Sequence, residues 1–493
     1  MPGTWPDLGF ERRCLLLALA LVVVGAWFSI GFHHNDEHFQ ILEFASLKLG
    51  NTSAADLPWE HHAAIRSWLQ PAIAIVVVKG LGLLGDRDPF HAALLLRLLS
   101  GLLYCAALAR LFRLSRRWIH SADAGRTALL LAAALWFVPY IAVRFSGEGL
   151  SGSLFFLGFA SLLLQVEEGP RPAWELSLAG AAMGLAFAAR FQTGLLIAPA
   201  LAWLVWVGRP RPSTVAVILT GLVGAIGASL ALDRWGYGEW VFTPWRYLQI
   251  QLLHGVAARQ FGTAPWWWYV PKIIIATGPP IGLPLVLGVA AGWFRRPASG
   301  LTWVSLTFFL SHCLLGHKEL RFLFPLSLCA PFLIGMALDD YPAVTRWAFH
   351  TRWGRVVSGA IVALNALGFG LRMSHPARQE IGLLRAIYYA RPQRLLIVDG
   401  RDPFIIGTLR TSFYRDPALV TANLTDAGGG LIPDMLRQPA LVATPMTAQL
   451  DTTGISCETL FTGEPEWVLR PAIWSRIQWA EPRPWRLARC VSR

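Results

Sequence analysis

Apolar residues along this chain come in long blocks rather than in the short alternations of a soluble core. Blocks of roughly 15–25 residues, the length that crosses a bilayer as helix, recur near 14–31, 90–112, 127–143, 149–166, 174–189, 192–208, 213–232, 267–293, 301–316, 322–338 and 356–371. Each predicts a membrane helix, about eleven in all. The run Pro71–Leu84 is shorter and is interrupted by Lys79, Gly80 and Gly82. It reads as an interfacial or re-entrant segment. After residue 375 the long apolar runs stop. There Arg394–Gly400 reads as a buried strand ending in a turn and Ala440–Thr444 as a second strand. The pattern predicts an all-α polytopic membrane protein with outer juxtamembrane helices over residues 1–375. A small extracytoplasmic α/β domain follows over 376–493.

Composition agrees. Apolar residues make up 54% of the 493 and charged ones only 15%, too few to cover several soluble domains. A soluble enzyme, a disordered scaffold and a small secreted disulfide domain are excluded. The net charge of +13 reads as the cytoplasmic bias of Lys and Arg, not as a nucleic-acid surface. With the N-terminus inside and Pro71–Leu84 not crossing, Arg110, Arg113, Arg116, Arg117, Arg126, Arg209, Arg211, Arg295, Arg296, Arg346, Arg352 and Arg355 all face the cytoplasm. Counting Pro71–Leu84 as a span would throw them outside. The same topology gathers Asp36–Arg66, Arg144–Glu148, Arg190–Gln192, Asp233–Trp268 and His317–Arg321 on the outer face, where polar residues near lipid point to a site. Four of the six cysteines lie in apolar runs. Cys457 and Cys490 are left in the tail, where an oxidising compartment permits pairing.

The first outer loop, His33–Glu43, carries the densest chemistry. Asn35 reads as a helix N-cap. Phe39, Leu42, Ser46 and Leu49 then form an apolar stripe at the membrane surface, while Asp36, Gln40 and Glu43 share another face at i, i+4 and i+7. Asp36 and Glu37 read as candidate catalytic carboxylates, with one ionised group able to act as a general base, or else as caps of a surface helix. The neighbouring His33, His34, His38, His61 and His62 lack a metalloenzyme spacing, so no cofactor is expected and a divalent metal is a minor alternative. His317-Lys318-Glu319-Leu320-Arg321 packs three potential cations beside lipid. It reads either as a clamp for a lipid phosphate or as a snorkelling helix end. Glu43, Arg66, Glu148, Arg190, His317, Lys318, Glu319 and Arg321 complete the candidate substrate-binding set. The aromatics from Trp235 to Tyr269 read as sugar-stacking groups or an interfacial belt.

Asp36-Glu37-x-Phe39-x-x-x-Glu43, Trp59-Glu60, Ile65-Arg66-Ser67, Asp233…Tyr237-Gly238…Thr243-Pro244 and His317-Lys318-Glu319-x-Arg321-Phe322 together resemble the family-22 glycosyltransferases. These are GT-C mannosyltransferases that build GPI anchors and lipid-linked oligosaccharides. The resemblance covers roughly residues 10–340. It implies a GT-C fold and inverting transfer of mannose from a polyprenyl- or dolichyl-phosphate donor to a lipid-linked or glycan acceptor, with Asp36 at the catalytic acidic position. The expected setting is a bacterial inner membrane or the ER membrane, with the site on the periplasmic or luminal side. Other readings are a GT-C enzyme of protein O-glycosylation or lipid A modification, and a lipid-linked-sugar flippase. A flippase predicts repeated halves and polar residues at mid-membrane, whereas these charges sit at span ends.

Overall fold

A computed structural model of the chain describes residues 8–398, 402–423, 439–446, 455–463 and 484–492. It divides into two compact units. The first comprises Met1–Trp27, Ala63–Ile73 and Leu95–Ser374, and the second Phe28–His62, Ala74–Leu94 and His375–Arg493.

The first unit is helical. Among the described residues Pro89–Trp118, which belongs to this unit from Leu95 onward, Gly147–Glu167, Phe191–Gly208, Pro212–Tyr237 and Arg352–Met373 are long and apolar enough to cross a membrane. Leu320–Leu328 with Ala330–Asp340, bent by 60°, adds a sixth if counted as one span. The other apolar blocks are helical but shorter or broken. The block at 127–143 stops at Ala134 and resumes at Val138. Asn365 crosses the gap, accepting from the Trp136 amide at 2.8 Å and donating to the Ala134 carbonyl at 2.8 Å. Such a break survives in lipid only when its backbone groups are satisfied this way. The block at 267–293 breaks at Gly278, which leads into Pro279 and Pro280. Helices Ala173–Ala189 and Pro212–Tyr237 meet backbone to backbone. A Cβ on Gly180 would lie 2.0 Å from the Ile218 carbonyl oxygen, so only glycine permits the approach.

The second unit contains the sheet. Its strands are β1 Arg394–Ile397, β2 Ile405–Ile406, β3 Leu409–Arg410, β4 Val420–Asn423, β5 Ala440–Pro445, β6 Ile455–Thr462 and β7 Trp485–Ser492. β2 and β3 form a small hairpin, and the rest a five-stranded sheet in the order β4-β1-β5-β7-β6. β1 runs parallel to both neighbours, while β7 is antiparallel to β5 and β6. Leu396, Val398, Val442, Ile455, Ala488 and Cys490 form its core. The two strands expected from the sequence are therefore β1 and β5, and the turn expected at Asp399-Gly400 lies outside the described residues. Cys457 and Cys490 face each other across β6 and β7 and are joined by a disulfide.

Candidate functional site

Within the second unit, the segment carrying Asp36 and Glu37 is held at both ends. At its start the Ile30 carbonyl accepts the amides of Ala377 and Arg378 at 2.7 and 3.3 Å. Gly31 turns there with φ +93°, pressed so close to Arg378 that a Cβ would stand 3.0 Å from it. One turn of helix follows over Asn35–Phe39. Its N-cap is His34, not Asn35: the His34 Nδ1 accepts the Asp36 amide at 3.2 Å. Glu37 closes the loop from the other side, its Oε2 accepting the His33 amide at 2.9 Å. Glu37 is buried, whereas the Asp36 side chain is 23% exposed. Of the two carboxylates, Asp36 is the one presented outward.

The helix does not continue through the segment as the spacing suggested. Ile41, at φ −120° and ψ −63°, separates Asn35–Phe39 from a second helix, Leu42–Leu49. The shared face expected for Asp36, Gln40 and Glu43 is thereby broken up. Gln40 donates to Glu60 Oε1 at 2.9 Å, tying the loop to the Trp59–His62 turn. Phe39, Leu42 and Ser46 are buried inside the protein rather than displayed to lipid. Glu43, 2% exposed, turns inward as well. Its Oε1 accepts from the His38 ring at 2.8 Å and from the backbone amides of Ser412 and Phe413 at 2.8 and 3.0 Å. His61 borders the same segment. Burial and the neighbouring His62 and Lys48 lower its pKa to about 4, so its ring is neutral at physiological pH.

Within the first unit the charges expected at span ends form one ionic network. Ser146 caps the Gly147–Glu167 helix, its Oγ accepting the Gly149 amide at 3.1 Å. This sets Glu148 in the first turn, 2% exposed. Its Oε1 accepts from Arg190 Nη1 and Arg321 Nη1, each at 2.8 Å. Arg321 also holds both oxygens of Glu319, at 2.6 and 3.1 Å. Glu319 in turn pairs with the His317 ring at 3.0 Å. Both guanidinium groups lie by the Phe322 ring, at 4.9 Å for Arg190 and 5.3 Å for Arg321. Arg321 is therefore balanced by two carboxylates, not a bare cation. Lys318 differs. It is 8% exposed and its ammonium donates to the Leu315 carbonyl, but it pairs with no carboxylate among the described residues. Desolvation lowers its pKa, so a neighbouring anion would be well compensated there.

The remaining motif residues hold contacts of their own. Asp233 is buried at the end of Pro212–Tyr237 and accepts from the Trp68 amide at 2.7 Å, Ser67 Oγ at 3.1 Å and Thr243 Oγ1 at 2.6 Å. Tyr237 donates its hydroxyl to the Arg66 carbonyl at 2.7 Å, and the Arg66 guanidinium lies 5.6 Å from the Tyr247 ring. Arg144, fully buried, lies over Tyr140 at 4.8 Å. Among the described residues no group of three or more His, Cys, Asp or Glu is placed to hold a metal. The structure thus joins Glu148, Arg190, His317, Glu319 and Arg321 in one unit, and Asp36, Glu37 and Glu43 in the other. Sequence reasoning missed Ser412–Tyr414, whose only signal is an aromatic pair in a polar tail.

The fold resembles two solved membrane proteins. ArnT from Cupriavidus metallidurans, bound to undecaprenyl phosphate, superposes with a TM-score of 0.53 over 98% of both chains at 14% identity. The Archaeoglobus fulgidus oligosaccharyltransferase gives 0.50 over 89% of this chain and 69% of its own, at 11% identity. The GT-C fold expected from the sequence is the fold found, and the chain is a multi-pass membrane protein. Among relatives by sequence, GPI mannosyltransferase 3 of Trypanosoma brucei brucei is 27% identical over 63% of this chain and 60% of its own length. Mannosyltransferase APTG1 of Arabidopsis thaliana is 26% identical over 68% and 61%. Human GPI alpha-1,2-mannosyltransferase 3 is 25% identical over 66% and 57%. The chain thus spans about 60% of the length of the curated relatives it matches. The family model matches residues 14–380, three quarters of the sequence and all the motifs above, and the chain belongs to the Alg9-like mannosyltransferase family.

Proposed function

We propose that the protein is an inverting glycosyltransferase that moves mannose from a polyprenyl- or dolichyl-phosphate carrier to a hydroxyl of a lipid-linked or glycan acceptor. Asp36 takes the proton of the acceptor hydroxyl as its oxygen bonds to the anomeric carbon. The bond from that carbon to the phosphate oxygen breaks, and the electron pair leaves on the lipid phosphate. In this reading Lys318 holds that phosphate and balances its gathering charge. The observation that carries the reading is Lys318: a buried ammonium with no carboxylate partner among the described residues, in a turn whose one guanidinium, that of Arg321, is already balanced by Glu148 and Glu319. A phosphate oxygen is an acceptor that suits such an ammonium.

The site faces away from the cytoplasm in this reading. The Cys457–Cys490 disulfide supports that side, since such bonds persist in oxidising compartments. The arginines assigned to the cytoplasmic loops support it too, by the positive-inside rule. Charge balance comes from the lysine side chain, so the reaction as written uses no metal. Turnover in a chelator should match turnover without one.

The test is transfer from a labelled polyprenyl-phosphate mannose by purified protein, with Asp36→Asn and Lys318→Ala beside the wild type. Asp36→Asn keeps size and most hydrogen bonding but accepts no proton, so turnover should fall about 10²–10⁴-fold with donor affinity little changed. Lys318→Ala should weaken donor binding as well as turnover. Near wild-type transfer by Asp36→Asn would remove Asp36 as the base.

A further inference from the structure

The family match ends at residue 380, yet residues beyond it complete the loop that bears the acidic pair. Glu43 spends one oxygen on the amides of Ser412 and Phe413, 369 and 370 residues further along the chain. The same oxygen accepts from His38, which follows directly on Asp36-Glu37. The His38 ring is stacked on both faces. Phe32 lies at 5.2 Å with planes 22° apart, and Tyr414 at 5.5 Å with planes 12° apart. Tyr414 stacks in turn on Phe90 at 4.6 Å and 19°. Four rings thus form one column, Phe32–His38–Tyr414–Phe90, with a tail residue in its middle. All belong to the second unit. Ser412 Oγ adds a contact to Thr52 Oγ1 at 3.3 Å.

This arrangement does more than bury surface. His38 is 1% exposed and Glu43 2%, so neither can adopt another rotamer without losing the tail contact. A stacked ring and a carboxylate oxygen with three donors fix the C-terminal end of the Asn35–Phe39 turn, as the Ile30 and Gly31 contacts fix its start. We propose that the Ser412–Tyr414 turn is a positioning element for the Asp36 loop, latched there by Glu43 and His38, and that this is the task of the C-terminal tail in the reaction. Glu43 then acts through His38 and the loop rather than on the substrate. The kinetic consequence rests on the function proposed above; the mechanical coupling of the two segments does not.

The experiment uses the full chain in detergent or nanodiscs, comparing wild type, Tyr414→Ala, Tyr414→Phe and Glu43→Gln by hydrogen–deuterium exchange and by donor kinetics. Tyr414→Ala should raise exchange in peptides covering 33–43 as well as in those covering 409–415. It should lower kcat about 10–100-fold, the usual result of a misplaced catalytic group, with KM for the polyprenyl-phosphate mannose changed less than about twofold. Tyr414→Phe keeps the stack and should restore most of the loss. Glu43→Gln keeps the side chain's volume, which makes it the second probe should Tyr414→Ala fold poorly, and it should raise exchange at Ser412, Phe413 and the 33–43 segment together. Exchange rising only in 409–415, with 33–43 and kcat as in wild type, would overturn the latch. If no protein transfers sugar from any labelled carrier, the proposed function falls. Joint or separate exchange of the two segments then still decides the latch.

Discussion

Glu148 and Glu43 are each 2% exposed, and the two units use them in opposite ways. In the helical unit Glu148 compensates charge, its one oxygen shared by two guanidinium groups brought from 42 and 173 residues away. In the other unit Glu43 closes the chain, its oxygen shared by two backbone amides and an imidazole. The first arrangement assembles an ionic field and the second fixes a loop. A buried carboxylate therefore carries no single meaning; its partners assign the role. Guanidinium partners tie the carboxylate into a balanced ionic network, whereas amide partners spend its charge on geometry.

The sharpest way to break the comparison is to remove each acid. Glu148→Ala leaves buried Arg190 without its carboxylate and Arg321 with Glu319 alone, and breaking a buried pair in this way costs about 3–5 kcal/mol. A thermal unfolding scan in detergent should register it as a large drop in Tm, partly recovered in Glu148→Asp. A stability unchanged by Glu148→Ala would show that the network holds itself together without its centre. A smaller effect is expected from the tail. Reducing Cys457–Cys490, which closes a separation of 33 residues, should cost roughly 2–4 kcal/mol. It should loosen β6 and β7 while Glu43 still protects the Ser412 and Phe413 amides from exchange. Simultaneous loss of both protections would make the latch a consequence of the sheet.

The mildest probe is pH. His61 titrates near 4 in the folded protein and at 6.5 when unexposed to those neighbours. Its neutral form is thus favoured by folding, and that stability is complete above 6.5 and lost as pH falls toward 4. The loss is at most about 3 kcal/mol. Exchange around residues 57–62 should rise over that window in wild type and much less in His61→Gln, while the Glu148 network should not change in step with it. A pH response identical in His61→Gln would place the titration elsewhere.

Much of the helical unit was legible in advance because length and apolarity alone define its blocks, and the charges singled out at their ends do meet in one network. Arg190 and Arg321 did not read as partners of one glutamate, since nothing local links positions so far apart. The acidic loop failed at a different level. Asp36, Gln40 and Glu43 have helical spacing, but Gln40 is claimed by Glu60 and Glu43 by Ser412, and these distant partners override the local period at Ile41. His34 replaced Asn35 as the cap for a related reason. A cap is chosen by where the turn begins, and that start is set by residues 377–378. Asp233 matched a motif and proved to be a buried anchor for Ser67 and Trp68, which shows that a motif can mark a joint as readily as a site.

The ring column has a consequence for biosynthesis. Phe32 and His38 leave the ribosome nearly four hundred residues before Tyr414. At about 5–20 residues per second the early loop waits roughly 20–75 s for its last ring. During that interval the membrane helices can insert and pack, but the acidic loop lacks its finishing contact. A polypeptide interrupted before residue 412 would carry the acidic loop without the ring and the two amides that finish it.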